Sequence, residues 1–213
     1  MIFVYLHGFA SSPRSAKAEY FQTCFRSRQI DLQVPDLNQP NFSQLTLTRQ
    51  IQQVQACIAA ANPEDQPVTV IGSSFGGLTA AWVAEQCSQV QCLVLLAPAF
   101  QFLSHWQARL GREQLQQWQQ TGSMAVYHYG AGQMLPLDYS FVVDLGSYED
   151  AKLQRSIPTL ILHGSQDEVI PVQASRDYGA TRPWVQLIEL PSDHALTDVT
   201  TELWQQVQTF CCL

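Results

Sequence analysis

Short apolar runs alternate along the chain with longer segments in which apolar and polar residues recur at helical spacing. Residues 68–71 predict a buried strand, and the Ala-rich segment from Leu78 onward predicts a helix. Residues 92–98 form a further continuous apolar run. Strands that are buried on both faces are typical of parallel sheets sandwiched by helices. The repeated strand and helix units therefore predict an α/β fold with a doubly wound, mostly parallel sheet.

The same pattern predicts about six strands with flanking helices. The remaining predicted strands cover residues 1–6, 30–37, 158–164 and 185–190, and the remaining predicted helices cover residues 16–28, 45–61 and 197–210. Asn62-Pro63 is expected to end the helix at 45–61. With 213 residues the chain is long enough for one full core, so we expect a single domain over residues 1–213.

Residues 100–156 depart from this alternation. The segment is rich in aromatic residues and contains one Gln-rich helix candidate, residues 112–120. Because the segment is too long for a simple connection between two core strands, we expect a lid or cap inserted within the domain. The alternative is an ordinary crossover helix with a small aromatic core of its own, and the two interpretations can hold in different portions.

The turn between the strand at 68–71 and the following helix reads Gly72-Ser73-Ser74-Phe75-Gly76. This is a G-x-S-x-G pattern in the strand, turn and helix context that a nucleophile elbow requires. It predicts that Ser74 is a nucleophile and that the Phe75 N–H faces negative charge developing beside it. The alternative is that a Gly and Ser cluster at this position is only a turn.

Two later loops supply candidates for an acid and a base. Asp167 lies in the short loop after the strand at 158–164, and His194 lies in the loop after the last predicted strand. The order Ser74, Asp167, His194 along the chain is that of the catalytic triad in hydrolases with a nucleophile elbow.

Other titratable residues near these positions are assigned structural roles. Glu168 is expected to point away from the site, and Asp193, although adjacent to His194, is expected to serve the backbone or solvent. Asp36 is expected to stabilise a loop, and His7 is expected to bond to loop backbone. The strand that ends at His7 opens into a loop of small residues, and its Phe9 N–H is the second predicted oxyanion donor.

Composition and charge restrict the function further. The net charge of −7 and the absence of basic runs argue against nucleic acid or an anionic membrane as the main partner. No stretch reaches the roughly 18 apolar residues of a membrane-spanning helix, and residues 1–6 are too short for a signal peptide, so we expect a cytoplasmic protein. The six cysteines show no C-x-x-C spacing, so neither a metal site nor a disulfide framework is expected.

These residues resemble the α/β-hydrolase superfamily, and within it the short bacterial esterases of the YqiA type. The resemblance rests on residues 5–9 with 11–13 and 15–18, on the turn at 72–77, on the loop at 163–171 and on the pair at 193–194. It covers residues 1–98 and 157–213, and it implies that the antiparallel N-terminal hairpin of larger hydrolases is missing. Relatives of this type resemble carboxylesterases or thioesterases that act on acyl chains, and the resemblance implies that substrate class here.

The resulting hypothesis is a serine hydrolase that cleaves a small-molecule ester or thioester without a metal or other cofactor. Aromatic residues in 100–156 favour an apolar acyl group, and Trp106 and Tyr129 are candidate substrate contacts. Arg14 and Lys17 are candidates to meet a phosphate-bearing leaving group such as coenzyme A, although an exposed helix start is the default explanation. Acyl transfer, perhydrolysis or a lyase step with the same triad, and a non-catalytic binding module, are the alternatives. The oligomeric state is left open.

Overall fold

A parallel sheet and a separate hairpin contain all the strands of the part of the chain that the structure describes. The computed structural model describes residues 1–62 and 64–213. The strands are β1 (Ile2–Leu6), β2 (Leu32–Gln33), β3 (Val68–Ser73), β4 (Val90–Leu96), β5 (Ser123–His128), β6 (Gln133–Asp138), β7 (Thr159–Gly164) and β8 (Val185–Leu190). The main sheet has six strands in the order β2-β1-β3-β4-β7-β8, and all its pairings are parallel. The predicted fold class is therefore confirmed.

Helices cover both faces of this sheet. They are α1 (Ala16–Ser27), α2 (Leu47–Ala61), α3 (Phe75–Gln86), α4 (Phe102–Thr121), α5 (Ser140–Leu145), α6 (Val172–Ala180) and α7 (Thr200–Cys211). Helices α1 and α7 pack on one face, where the Phe25 and Trp204 rings lie 5.1 Å apart. Helices α2, α3 and α6 pack on the other face. Each large apolar side chain that is fully buried in these layers stabilises the fold by about 1.5–3 kcal/mol.

Helix α3 lies at the centre of the second layer. Ten of its residues are buried, which requires a helix that is apolar on all sides rather than on one stripe. Small residues let it approach the sheet closely, and an added Cβ at Gly77 would lie 3.0 Å from the Pro98 side chain. The helix start is therefore fixed against the end of β4.

The boundaries of several predicted elements are corrected by the structure. The predicted strand at 30–37 is reduced to Leu32–Gln33, because Pro35 has no N–H for a sheet ladder and the chain turns away after β2. Helix α7 begins at Thr200 rather than at residue 197. Helix α2 begins two residues later than predicted, after Thr46, whose side chain accepts the Arg49 N–H at 3.0 Å. The expected helix end at Pro63 lies outside the described residues.

The β4–β7 connection (residues 97–158) contains α4, the β5–β6 hairpin, α5 and a short 3₁₀ helix at Asp150–Lys152. The predicted helix at 112–120 is the second half of α4, which is broken at Gly111 (φ 76°, ψ 168°). The indole Nε1 of Trp118 on α4 donates to Leu137 O at 2.9 Å, so α4 carries the hairpin. Asp138 N donates to Ser43 O at 2.8 Å, which fixes the base of the hairpin to the loop before α2.

The hairpin has two unlike faces. His128 and Leu137 are buried against the rest of the protein. Tyr127, Tyr129 and Met134 are exposed on the outside. Within the described ranges, no helix combines the length and the apolar character that a membrane crossing needs.

Candidate active site

The carboxyl ends of the parallel strands meet at one edge of the sheet. The register pairs Leu6 with Gly72, Leu96 with Leu162, and Gly164 with Leu190. The loops that follow β1, β3, β7 and β8 therefore emerge side by side. These loops carry Phe9, Ser74, Asp167 and His194, so four distant parts of the sequence converge on one place. Ligands of open α/β sheets bind outside this edge.

Ser74 has a backbone conformation that non-glycine residues rarely adopt, with φ 54° and ψ −119°. Its N–H donates to Leu96 O at 2.8 Å, and its carbonyl accepts the Ala99 N–H at 3.0 Å, so the end of β4 stabilises the turn. The flanking glycines make room for the sharp bend. An added Cβ at Gly76 would lie 2.3 Å from Leu6 O, and one at Gly72 would lie 2.3 Å from Gly76 O.

The structure brings together the three side chains that the sequence predicts to form a triad. Ser74 Oγ lies 2.9 Å from His194 Nε2, and His194 Nδ1 lies 2.6 Å from Asp167 Oδ2. The ionised carboxylate only accepts hydrogen bonds, so Nδ1 carries the proton and Nε2 is free to accept the Ser74 hydroxyl. This is the arrangement of an activated nucleophile and its oriented base.

The Asp167 carboxylate is held at both oxygens. Its Oδ1 accepts the Val169 and Ile170 N–H groups, each at 2.8 Å, and its Oδ2 accepts from His194 and from a second imidazole, His163. Burial alone would raise the pKa of Asp167, but the hydrogen bonds from His163 and His194 hold that pKa below its ordinary value. The acid is therefore ionised and fixed in orientation.

The loop that carries His194 is seated on the end of β7. An added Cβ at Gly164 would lie 2.4 Å from both Ser192 O and Asp193 O, so only glycine permits this contact. Asp193 Oδ1 accepts the Ala195 N–H at 2.8 Å and the Leu196 N–H at 3.2 Å. Asp193 thus binds backbone, in the role that the sequence indicates, and Asp167 is the carboxylate bound to His194.

Hydrogen bonds with the loop after β2 hold the loop after β1 in place. Leu37 N–H donates to His7 Nε2 at 3.0 Å, and the Asn38 side chain donates to Ser11 O at 2.8 Å. Asp36 in turn accepts the Asn38 N–H at 3.1 Å. The His7 ring, 3.6 Å from Asp36 Oδ1, and the hydrogen bond from Asn38 hold the pKa of Asp36 below its ordinary value, against partial burial. Both residues thus have the loop contacts that the sequence indicates.

The two predicted oxyanion donors lie beside Ser74. Phe75 follows it directly, and an added Cβ at Gly8 would lie 3.3 Å from Ser74 Cβ, which brings the Gly8-Phe9 backbone next to the hydroxyl. Among the hydrogen bonds of the described residues, neither the Phe9 N–H nor the Phe75 N–H has a protein acceptor. Both donors are therefore available to another oxygen.

The Phe9 ring lies at the centre of an aromatic cluster. Five rings surround it at centroid distances of 5.3–6.0 Å, namely Phe42, Phe75, Phe102, Trp106 and Phe141. Trp106, a candidate substrate contact, therefore packs directly against the loop after β1.

Tyr129, the other candidate contact, follows β5 in the hairpin turn. Its side chain is 76% exposed, and its ring lies 5.1 Å from that of Tyr127. The neighbouring Gly130 reaches the loop after β1. Its N–H donates to Ala10 O at 3.4 Å, and an added Cβ would lie 2.7 Å from Ser12 Cβ.

Lys17 on α1 lies in the electric field of Asp167 and Asp193. Burial lowers the pKa of its ammonium group to about 8, although the two carboxylates act in the opposite direction. In the described part of the chain, no carboxylate lies within ion-pair distance of this group. The site therefore contains one cation that has no paired anion.

His163 is the part of the site that the sequence analysis missed. The sequence pattern places His163 within the strand at 158–164 and assigns it no role, whereas its Nε2 lies 3.1 Å from Asp167 Oδ2. The available signal was its spacing, since His163 lies at the end of β7, four residues before Asp167.

No group of three or more His, Cys, Asp or Glu side chains in residues 1–62 and 64–213 is arranged to hold a metal ion.

Comparisons with known proteins show the family and the fold of the chain. The sequence pattern of the family described as "Uncharacterised protein family (UPF0227)" matches residues 2–212. No curated protein has a sequence that matches the chain.

Solved structures share the fold at low sequence identity. Est1E from Butyrivibrio proteoclasticus with bound ferulic acid has a TM-score of 0.83 and 19% identity, over 99% of this chain and 88% of that chain. A putative hydrolase from Agrobacterium vitis S4 has a TM-score of 0.84 and 20% identity, over 98% and 87%. Mouse alpha/beta hydrolase domain-containing protein 10 has a TM-score of 0.82 and 19% identity, over 98% and 88%. The chain therefore belongs to the UPF0227 family and has the fold of the α/β-hydrolase superfamily.

Proposed function

We propose that the protein is a serine hydrolase that cleaves a carboxylic ester or thioester of a small molecule through an acyl-enzyme. The observation that carries this proposal is the continuous line of hydrogen bonds from Ser74 Oγ through His194 to Asp167. A serine hydroxyl is a weak nucleophile unless a base removes its proton, and His194 Nε2 is within reach to do so.

The proposed reaction has two halves. Ser74 Oγ attacks the substrate carbonyl while His194 Nε2 takes its proton and then returns that proton to the leaving alcohol or thiol. Asp167 keeps the Nδ1–H in position and stabilises the imidazolium that forms. A water molecule then repeats the sequence on the acyl-enzyme and releases the acid. The triad generates its own nucleophile at neutral pH, so no metal or cofactor enters these steps.

The negative charge on the carbonyl oxygen is assigned to the Phe9 and Phe75 N–H groups. Both donors lack a protein acceptor among the described residues, and Phe75 begins α3, where the helix dipole also favours an anion. Loss of one such donor typically lowers the rate on the order of 10²–10³-fold.

An apolar acyl group is the proposed substrate portion. The support is the aromatic cluster around Phe9, which extends from the loop after β1 into the β4–β7 connection. In this proposal that connection acts as the lid, and Est1E, which shares the fold, binds an aromatic acid, ferulic acid. The six cysteines are free thiols, which suits the reducing cytoplasm that we propose as the location.

The test is the hydrolysis of p-nitrophenyl esters and acyl thioesters of graded chain length, by the wild type and by Ser74→Ala. We expect Ser74→Ala to lose at least about 10³–10⁴-fold in kcat because the nucleophile is gone. A fluorophosphonate probe should label the wild type on Ser74, as read by peptide mass.

Ser73→Ala is the matched control, since it removes the neighbouring hydroxyl and should still be labelled on Ser74. Labelling without hydrolysis of any ester would move the proposal to acyl transfer on the same serine. If neither labelling nor turnover occurs, the catalytic role of Ser74 is wrong and a binding module becomes the better interpretation.

A further inference from the structure

His163 is a second imidazole bound to the acid of the triad. It lies at the end of β7, its side chain has no exposed surface, and it is four residues from Asp167. Its Nε2 lies 3.1 Å from Asp167 Oδ2 and 3.0 Å from Ile170 O, and its Nδ1 lies 2.8 Å from Ser175 Oγ.

These partners determine which nitrogen carries the proton. The two neighbours of Nε2 are a carboxylate oxygen and a carbonyl oxygen, and both can only accept, so Nε2 carries the hydrogen. Nδ1 then accepts the hydroxyl of Ser175, which is also fully buried. A neutral imidazole satisfies every partner in this pocket. As a result, Asp167 Oδ2 accepts two imidazole N–H groups, one from His194 and one from His163.

We propose that His163 is a positioning residue of the site: its Nε2–H fixes Asp167 Oδ2 toward His194 and draws off part of the negative charge that stabilises the His194 imidazolium. This inference rests on the proposed function, because it assigns a role relative to His194 as the base. Ser175 acts indirectly: its hydroxyl donates to His163 Nδ1 and so keeps the His163 proton on Nε2.

The role has a consequence with a definite sign. The hydrogen bond that His163 donates to Asp167 Oδ2 reduces the electrostatic stabilisation that Asp167 gives to protonated His194. The neutral form of His194, which is the active base, therefore persists to lower pH. Removal of that donor should move the acidic limb of the kcat/KM profile to higher pH. The other charged groups near the pair are Lys17 on α1, Asp193 beside His194, and Glu189 on β8, which pairs with Arg176. All of these groups stay constant across the variants.

The experiment compares His163→Leu with His163→Gln. Leu removes the donor, whereas the Gln side-chain NH₂ can take the place of the Nε2–H. For His163→Leu we expect kcat to fall about 10–100-fold with KM changed less than about 2-fold, and the acidic limb to rise by about 0.5–1 pH unit. His163→Gln should restore most of kcat and should return the acidic limb to its wild-type pH.

Two further variants separate positioning from stability. Val207→Ala on α7 removes buried apolar volume on the other face of the sheet and should lower the melting temperature without moving the limb. Ser175→Ala leaves His163 in place and should shift the limb by a smaller amount in the same direction, so the test holds even if His163→Leu fails to fold.

A readout that needs no turnover separates this proposal from the proposed function. Titration of the His194 ring by nuclear magnetic resonance, in the wild type and in the His163 and Ser175 variants, should show the same upward shift. An unmoved His194 titration, or a His163→Gln variant no better than His163→Leu, would overturn the role of His163. An inactive, unlabelled wild type in which that titration still shifts would refute only the hydrolase function.

Discussion

Lys17 is a partly buried residue of α1, close to the start of that helix, and the charge of Asp167 acts on its ammonium group. Two physical effects oppose a charge there. Burial removes water from the cation, which is why its pKa falls to about 8, and the first turn of a helix favours anions rather than cations. A residue that destabilises its own position at a candidate active site is typical of a group with a role in binding or catalysis.

Replacement of Lys17 by Met should therefore stabilise the fold at neutral pH. We expect the free energy of unfolding at pH 7 to rise by about 1–3 kcal/mol, because the desolvated charge is removed and the apolar stem is kept. The folded-state pKa of about 8 lies below the unfolded value of 10.5, so the wild type gains stability as the pH rises from 8 to 10 and the difference should shrink.

Urea unfolding at pH 7 and pH 10 measures this difference. Lys152→Met is the matched control, because Lys152 is 60% exposed and pairs only with Glu149 at the surface. The explanation fails if Lys17→Met is less stable than the wild type at pH 7, or if its gain is the same at both pH values.

At the scale of elements, glycine decides where α4 breaks. Gly111 has φ 76° and ψ 168°, a region that is almost restricted to glycine, and an added Cβ there would meet no atom within 4 Å. Gly146, at the end of α5, has an ordinary helical backbone with φ −62° and ψ −15°. Both positions have room for a methyl group, so the two glycines differ mainly in backbone strain.

The same substitution should have opposite signs at these glycines. Gly111→Ala should destabilise the protein by about 1–3 kcal/mol, since Ala cannot adopt the backbone of the break without strain. Gly146→Ala should stabilise it by about 0.4–1 kcal/mol, because Ala restricts the unfolded chain at no cost in the folded one. Thermal unfolding of both variants, with circular dichroism to check helix content, measures the pair, and equal signs would refute the assignment.

Periodicity predicted the elements of the sheet better than those of the β4–β7 connection. Apolar runs such as residues 68–71 are unambiguous because both faces of a central strand are buried. The hairpin at 123–138 was not predicted, since its inner face packs on α4 while Tyr127 and Met134 on the outer face are also apolar. Alternation is therefore weak in the sequence, and a tertiary contact, Trp118 with Leu137 O, stabilises the element instead.

At the scale of the whole molecule, the chain order of Ser74, Asp167 and His194 was sufficient to predict which residues converge. Parallel strands bring their carboxyl ends to one edge, so residues far apart in sequence become neighbours once the strand order is known. The bond between His163 and Asp167 could not be predicted in this way. The spacing of four residues brings the two side chains near each other, but the bond also depends on the rotamer of a buried ring and on the path of residues 167–170, which the spacing does not determine.

Acid should destabilise the whole fold through its bound carboxylates. The pKa values of Asp36 and Asp167 are held below their ordinary values by hydrogen bonds in the folded state. The stability that each contributes is therefore complete above the unfolded pKa of about 4 and is lost as the pH falls further. We expect a melting temperature that is nearly constant from pH 7 to pH 5 and drops below about pH 4.

Asp36→Asn isolates one of these carboxylates and leaves Ser74, Asp167 and His194 unchanged. The variant should melt at a lower temperature than the wild type at pH 7, and the gap between the two proteins should narrow as the pH falls below 4. Thermal unfolding followed at pH 7 and pH 3 tests this, and parallel curves would show that Asp36 does not carry the acid dependence.

The contact of Gly130 with the loop after β1 makes two distant parts of the sequence depend on each other. A side chain at position 130 would meet Ser12 Cβ at 2.7 Å and the Ser11 backbone at 3.1 Å. Glycine at position 12, which has no Cβ, relieves only the first of these clashes, and the second requires the two loops to move apart. Evolution can therefore enlarge residue 130 only through coupled changes about 120 positions away, and within the family these two stretches should vary together or stay fixed together.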